Sequence, residues 1–236
     1  MKVAALWRYP VKSLQGESLA SAEIDRHGIL GDRQWALVDV VTGMTLTARR
    51  QPELLFAAAT LDGDGVRITL PDGSSPRDDA DLSDWLGHPV RLDAAGQRGG
   101  LFESPVDPEH EDGDWVRWRG PGGSFHDSPR TQLSLVSIAT MRGWDVQRFR
   151  PNVVLDDDGD DALVGTPIGI GSAELVVLKQ IDRCVVVTRP QPGLERDLDV
   201  IRTINRERAT YLGIGAVVTA PGRIATGDEI RRLSAP

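Results

Sequence analysis

The alternation of apolar and polar positions marks out short strands along most of the chain. Val3 to Trp7 reads as a first strand, ended by Tyr9-Pro10, and Leu19 to Ile24 alternates as a second. Arg33 opens a strand over Gln34 to Val38; Thr42-Gly43 reads as a hairpin turn, and Met44 to Thr47 returns. Leu54 to Leu61 and Val66 to Leu70 predict another hairpin around Asp62-Gly-Asp-Gly65. Asp81 to Leu86 predicts a short helix with Asp79 or Asp81 as its cap, and Val90 to Leu92 a brief strand. Leu133 to Val136 is apolar, and Ser137 is suited to cap a helix running to about Gly143. Val153 to Leu155, Glu174 to Leu178 and Ile214 to Thr219 read as strands. Leu198, Ile201, Ile204 and Ala209 share one face of an amphipathic helix. Val185 to Val187, β-branched throughout, reads as a buried strand, which sets Cys184 at the rim of a sheet where the chain enters it. Pro221 to Ile230 ends the pattern as two short strands around a Gly-Asp turn.

Composition sharpens this into a mainly β fold with a few α segments. The chain has 236 residues with 25 Gly and 15 Pro, and no helical pattern runs far. Residues 1–93 read as a compact β unit with one helix, and 131–236 as a second β unit, with earlier strands available to complete it. Between them, 94–130 is rich in Gly, Pro, Asp and Ser around Trp115-Val-Arg-Trp118, and reads as a linker or a loop over a site. The net charge of -8 argues against a phosphate-tracking basic face, so no nucleic-acid partner is expected. The N-terminal apolar run is too short for a signal peptide. No stretch approaches the roughly 18 to 20 apolar residues of a membrane span. A cytoplasmic protein with no membrane partner is therefore expected.

Candidate chemistry gathers around the one cysteine, Cys184, beside Asp182 and Arg183. A single cysteine excludes an internal disulfide, and also a Cys-ligated iron–sulfur cluster or Cys₄ zinc site within the chain. The thiolate is the metal ligand and nucleophile, and cationic neighbours favour it; a lone cysteine also serves, more commonly, as a small buried hydrophobe. Lys12-Ser13, after Pro10, presents an ammonium, a hydroxyl and free backbone N–H groups, a set that suits a phosphate or, more plainly, a solvated turn. Arg33, Arg49 and Arg50 fall at strand ends, where they clamp an anion or pair with surface carboxylates. In Arg148-Phe-Arg-Pro-Asn152, Pro151 biases Arg150 towards an extended backbone. The Arg150 fork and the Asn152 amide suit a planar heterocycle or a phosphate.

Other patterns carry less. Asp156-Asp-Asp-Gly-Asp-Asp161 fails the EF-hand spacing and reads as a solvated turn. Ile168-Gly-Ile-Gly171 lacks the third glycine and following helix of a dinucleotide loop, and reads as a turn. His27, His88, His110 and His126 are scattered without a metal-binding i, i+4 pair. No Gly-x-Ser-x-Gly elbow or Walker loop occurs.

Several of these pieces occur in one order that resembles a known family. They are Tyr-Pro-Val-Lys-Ser at 9–13, Gly-Asp-Arg at 31–33 with Thr-Ala-Arg at 47–49, Arg-Phe-Arg-Pro-Asn at 148–152, Arg-Cys at 183–184, and the ending Gly222-x-Ile-x-x-Gly-Asp-x-Ile230. Together they resemble the MOSC proteins with an N-terminal MOSC β-barrel domain, the group of the YcbX-like proteins and the mitochondrial amidoxime-reducing component. The resemblance implies an N-terminal β-barrel-like domain plus a MOSC β-barrel, with a molybdenum cofactor (Mo-molybdopterin) in a cleft between them. It implies that Cys184 is the catalytic residue and molybdenum ligand. Lys12, Ser13 and Arg33 match positions that hold the pterin and its phosphate, Arg150 and Asn152 a second cradle, and Ser137 a cofactor contact; Asp182 and Arg183 flank the ligand. At the level of the family it also brings an association with pyridoxal phosphate.

The implied function is a molybdenum-dependent oxidoreductase that reduces N-hydroxylated, N-oxide or S-oxide small-molecule substrates by oxygen-atom transfer. The implied alternative is a carrier that hands over the cofactor, or a sulfur atom on Cys184. Retention of every cradle motif argues against a MOSC fold that has lost its cofactor. The stretch after 156–161 lacks the family's usual tryptophan. No ferredoxin-like domain follows, so a reductase would draw electrons from a separate ferredoxin- or flavoprotein-type partner. A thiolate suits a metal already held by a dithiolene. The phosphate dianion requires cationic groups focused against the acidic bulk charge.

Overall fold

The computed structural model describes residues 1–107 and 111–234; His110 lies outside them. The chain is mainly β and divides into two compact units. One comprises Met1–Arg8, Glu17–Asp32 and Ser128–Pro236; the other comprises Tyr9–Gly16 and Arg33–Asp127. Among the described residues, no helix is long and apolar enough to cross a membrane.

The first unit is built on an eight-stranded sheet. Its strands run in the spatial order Ile230–Arg232, Pro167–Ile170, Ala173–Asp182, Tyr211–Ala220, Leu133–Ser137, Val153–Leu155, Val3–Arg8, Glu17–Leu19. Pairing is antiparallel except between Leu133–Ser137 and Val153–Leu155. The central strands are apolar at consecutive positions because both faces are covered. Leu133, Leu135, Val153, Leu155, Leu175 and Val177 join one buried cluster. Val136 and Val154 join a second cluster with Phe149, Val187, Leu212 and the helix residues Val200 and Ile204. A small sheet of Gly222–Ala225, Ser21–Asp25 and Gly28–Ile29 adds to this unit, so the last two strands do not pair with each other.

The second unit holds antiparallel ribbons Trp35–Asp39 with Val90–Ala94, Ala58–Asp62 with Gly65–Thr69, and Leu101–Pro105 with Trp115–Arg119. The last ribbon lies where composition suggested a loop; Trp115 and Trp118 register opposite Pro105 and Phe102. Its helix, Asp79–Leu86, is capped by Asp78, whose carboxylate accepts from the N–H groups of Ala80 and Asp81, and it closes on left-handed Gly87. Val11, Leu14, Leu37, Leu54 and Val90 belong to its core.

Further local expectations are corrected: the helix Asp79–Leu86 is capped by Asp78 instead of Asp79 or Asp81, and within the expected solvated turn over 156–161 Asp160 is buried at the start of the 3₁₀ turn Asp160–Leu163. Val185–Thr188 is a 3₁₀ turn, not a strand, and Cys184 follows the strand Ala173–Asp182 instead of opening one. Burial of Val187 in the outer cluster and the bond from Val187 N–H to the Cys184 carbonyl (3.2 Å) override the β propensity of the run. Arg150 is left-handed (φ 52), not extended, because its N–H closes a turn onto the Val146 carbonyl at 3.0 Å. Pro167–Ile170 is a strand rather than a turn. The helix Leu198–Arg208 buries Val200 and Ile204, while Leu198 is exposed and Ala209 lies past the end as its left-handed cap.

Candidate functional site

The Arg-Cys motif and the Arg-Phe-Arg-Pro-Asn motif meet within the first unit. Arg183 leaves the end of the strand Ala173–Asp182 and turns its guanidinium inward. Its Nε donates to the Leu212 carbonyl at 2.7 Å and its Nη1 to the Phe149 carbonyl at 2.9 Å. The guanidinium lies 5.6 Å from the Phe149 ring centroid. Arg148 is buried and ties the other side. It donates to the carbonyls of Val187 (3.2 Å), Arg189 (3.5 Å) and Glu195 (2.8 Å), clamping the segment that follows Cys184. Phe149 and Val187 are buried in one cluster, so apolar packing anchors the residues on which Arg150 and Cys184 are mounted. Cys184 itself is half-buried and forms no disulfide.

Glycine at 213 makes this arrangement possible. It is left-handed (φ +81), and a Cβ there would lie 2.7 Å from the Leu135 carbonyl oxygen and 3.1 Å from Arg183 Nη2. Nothing in the sequence distinguishes Gly213 from the other glycines. Arg148 opens the Arg-Phe-Arg-Pro-Asn motif, but its role as the clamp of the segment after Cys184 comes from bonds that the sequence does not show.

Asn152 and Ser137 hold the frame. The Asn152 amide oxygen accepts from the N–H of Ser134 (3.1 Å) and its hydroxyl (3.0 Å), and its amide nitrogen donates to the Trp7 carbonyl (3.3 Å). Ser137 is buried, caps the short helix Ile138–Met141 by accepting from Thr140 N–H, and donates to the buried carboxylate of Asp160 at 3.2 Å. Asp182 is exposed, with Lys179 Nζ 3.4 Å from its carboxylate. A cleft of about 390 Å³ in this unit is lined by Thr140, Arg142, Asp160, Glu207 and Arg208, among others, and by none of the expected cofactor residues. Arg142 pairs there with Glu207, and Arg208 with Asp161.

The second unit brings Lys12, Ser13 and Arg33 together with two groups that sequence reasoning missed. Lys12 is buried; its ammonium donates to Asp127 Oδ1 at 2.7 Å and to the Phe125 carbonyl at 3.1 Å, and lies 4.8 Å from the Phe102 ring centroid. Arg33 lies over the Tyr9 ring at 5.0 Å, and its carbonyl accepts from Phe125 N–H at 2.7 Å. Desolvation is the largest influence on Asp127 and favours the neutral acid. Lys12, Arg33 and His126 outweigh it and hold the carboxyl below its ordinary range. The Asp127 side chain is still 76% exposed, so both influences are screened by water. Ser13 Oγ accepts from Ala48 N–H at 2.9 Å, joining the Val-Lys-Ser and Thr-Ala-Arg motifs. Only the fold discloses that Asp127 comes to Lys12, since they are more than a hundred positions apart.

Backbone strain concentrates on the same residues. Among the described residues, the non-glycine positions with positive φ are Ser13, Arg33, Arg142, Arg150, Ala209 and Thr210. Three are expected cofactor residues. Thr210, β-branched at φ 76, accepts from Arg183 N–H at 2.9 Å. Such conformations cost about 1–3 kcal/mol each and persist where surrounding structure enforces them, commonly at ligand sites. No group of three or more His, Cys, Asp or Glu able to hold a metal ion occurs among the described residues.

Family models match residues 1–85 as the MOSC N-terminal beta barrel domain and residues 124–231 as the MOSC domain. The chain belongs to the MOSC proteins with an N-terminal MOSC β-barrel domain. The first match contains Lys12, Ser13 and Arg33; the second contains His126, Asp127, Ser137, Arg150, Asn152 and Cys184. This MOSC protein is similar to the mitochondrial amidoxime-reducing component 1 of Homo sapiens, at 26% identity over 98% of this chain and 82% of that one. It is similar to the molybdenum cofactor sulfurase of Drosophila willistoni, at 23% identity over 89% of this chain and 30% of that one. Among solved structures it is similar to the YUAD protein from Bacillus subtilis, at 17% identity and a TM-score of 0.49, covering 97% of this chain and 93% of that chain.

Proposed function

We propose that this MOSC protein binds Mo-molybdopterin and reduces N-hydroxylated, N-oxide or S-oxide small molecules by oxygen-atom transfer. The observation that carries the reading is the joining of Arg183-Cys184 to Phe149-Arg150 through the Arg183 bonds to Phe149 and Leu212. The donor chemistry fits the group. A half-buried thiol not consumed in a disulfide is a soft ligand for a metal held by dithiolene sulfurs. Lys12 and Arg33, already facing one carboxylate, are the charge that a phosphate requires. When bound, the cofactor would supply a two-electron couple for oxygen-atom transfer. Cys184 ligates and Arg183 fixes the backbone that carries it. Arg150 would hold the pterin through its guanidinium fork. Ser137 and Asn152 act as positioning residues, since their side chains bond to Asp160, Ser134 and Trp7. Electrons come from a separate ferredoxin- or flavoprotein-type protein.

The test is metal analysis and pterin fluorescence on protein from a cofactor-competent host, followed by turnover of an amidoxime with a chemical reductant. Bound molybdenum and turnover lost in Cys184→Ala are expected; undiminished turnover by Cys184→Ala overturns the reading. The similarity to a molybdenum cofactor sulfurase favours a second reading, that the chain carries cofactor or sulfur for another enzyme. A persulfide on Cys184 by mass spectrometry, in freshly purified protein without metal, would select it.

A further inference from the structure

Arg148 has no task in holding the cofactor, yet its side chain is buried and its bonds go to main-chain carbonyls on both limbs of one loop. The outgoing limb leaves the 3₁₀ turn Val185–Thr188 and supplies the carbonyls of Val187 (3.2 Å) and Arg189 (3.5 Å). The return limb supplies the Glu195 carbonyl at 2.8 Å and runs into the helix Leu198–Arg208. The loop is otherwise closed on itself. Gln191 and Leu194 exchange N–H···O bonds of 2.9 and 2.8 Å across an exposed Pro192-Gly193 tip, and Asp197 N–H donates to the Thr188 carbonyl at 3.0 Å. A segment that satisfies its own backbone in this way opens as one unit. Cys184 stands at its near end: Val187, whose carbonyl Arg148 holds, donates its own N–H to the Cys184 carbonyl at 3.2 Å.

We propose that Arg148 is a positioning residue for Cys184: it latches the loop 187–197, and so fixes where the thiol stands and how readily it is reached. Bonds from a guanidinium to carbonyls are stronger than neutral ones. The planar fork serves two limbs at once, which the point charge of an ammonium does not. The fastening is also reciprocal. Arg183, just before Cys184, donates back to the carbonyl of Phe149, just after Arg148, at 2.9 Å. The arginine of each motif is thus bound to the main chain of the other, and Arg150 and Cys184 keep one relative placement. That the thiol so placed is a metal ligand rests on the cofactor reading above; the latch itself does not.

The test is amide hydrogen exchange and thiol alkylation on the full-length chain, made in a host that lacks the cofactor. The N–H groups of Val187, Arg189, Gln191, Leu194 and Asp197 should be protected in wild-type protein. In Arg148→Lys they should exchange about tenfold faster, from loss of charge-assisted bonds on one limb. The N–H groups of the sheet strands Leu133–Ser137 and Tyr211–Ala220 should keep their wild-type rates. Alkylation of Cys184 by iodoacetamide, a neutral reagent, should quicken by about the same factor; lysine keeps the cation, so the change reports access and not charge. If the lysine variant does not fold, Arg148→Met, which fills the space without donors, is read by exchange alone. A merely structural role would speed exchange in the loop and the sheet strands together, and that result overturns the inference. So do wild-type protection of the loop and a wild-type alkylation rate in folded Arg148→Lys. Both readouts are taken without metal, so their failure leaves the cofactor reading standing. Absence of molybdenum in protein from a cofactor-competent host overturns the cofactor reading alone.

Discussion

Phe149→Ala should unfasten the Cys184 region. The ring is 3% exposed, packed with Val187, Val200, Ile204 and Leu212, 6.0 Å from the Trp144 ring and 5.6 Å from the Arg183 guanidinium. Burial of a phenyl ring contributes about 2–3 kcal/mol. The tilted pair with Trp144 adds about 0.5–1.5 kcal/mol, and the cation over the ring about 0.5–1 kcal/mol. The sum agrees with the ~3–5 kcal/mol typical of truncating a buried phenylalanine to alanine. For a chain of this size, that loss lowers the melting temperature by about 10 °C. Denaturant unfolding of the variant measures the loss, and molybdenum content per folded molecule measures the site. Phe149→Leu, which keeps most of the volume, should lose about 1.5 kcal/mol or less and retain the metal. A loss below about 1 kcal/mol in the alanine variant refutes the anchoring role. So does wild-type metal content in folded Phe149→Ala.

Gly213→Ala should lose about 2–4 kcal/mol, because a Cβ meets the Leu135 carbonyl at 2.7 Å in a left-handed backbone and presses on Arg183; thermal melts would reveal it. Ser137→Ala removes a helix cap and a partner of buried Asp160, and should lose about 2–3 kcal/mol by denaturant titration. Asp127 titrates below its ordinary value of 3.8 in the folded chain, so its contribution is present above that pH and is lost as pH falls through the lowered value. The difference between wild type and Asp127→Asn, about 1 kcal/mol or less at neutral pH for so exposed a carboxylate, should therefore begin to shrink near the ordinary value and vanish below the lowered one.

What the sequence disclosed was residue chemistry; what it withheld was long-range geometry. Cys184, Lys12, Arg33 and Arg150 stood out because thiol, ammonium and guanidinium groups at strand ends are legible one at a time. The strand reading of Val185 to Val187 followed from β-branched side chains, and failed because Val187 is buried with Val200 and Ile204 of the next helix, a contact that local propensity does not register. The extended reading of Arg150 followed from the next proline, and failed because a turn closing onto Val146 is stronger than that local preference. The second ribbon strand, Trp115–Arg119, was hidden by surrounding glycines and aspartates, and its tryptophans, three positions apart, make no period-2 pattern. Asp127 and Gly213 had no local signal at all, since each matters through a partner distant in sequence, Lys12 and Arg183.

The paired left-handed residues Ala209 and Thr210 mark a place where engineering and chemistry pull apart. Glycine at either position would relieve the backbone and give a hardier protein. It would also soften the peptide that receives the Arg183 N–H, and with it the mount of the thiol. Thermostabilised descendants of this chain selected only for heat resistance are thus expected to drift towards glycine there and to loosen the setting of Cys184 as they do.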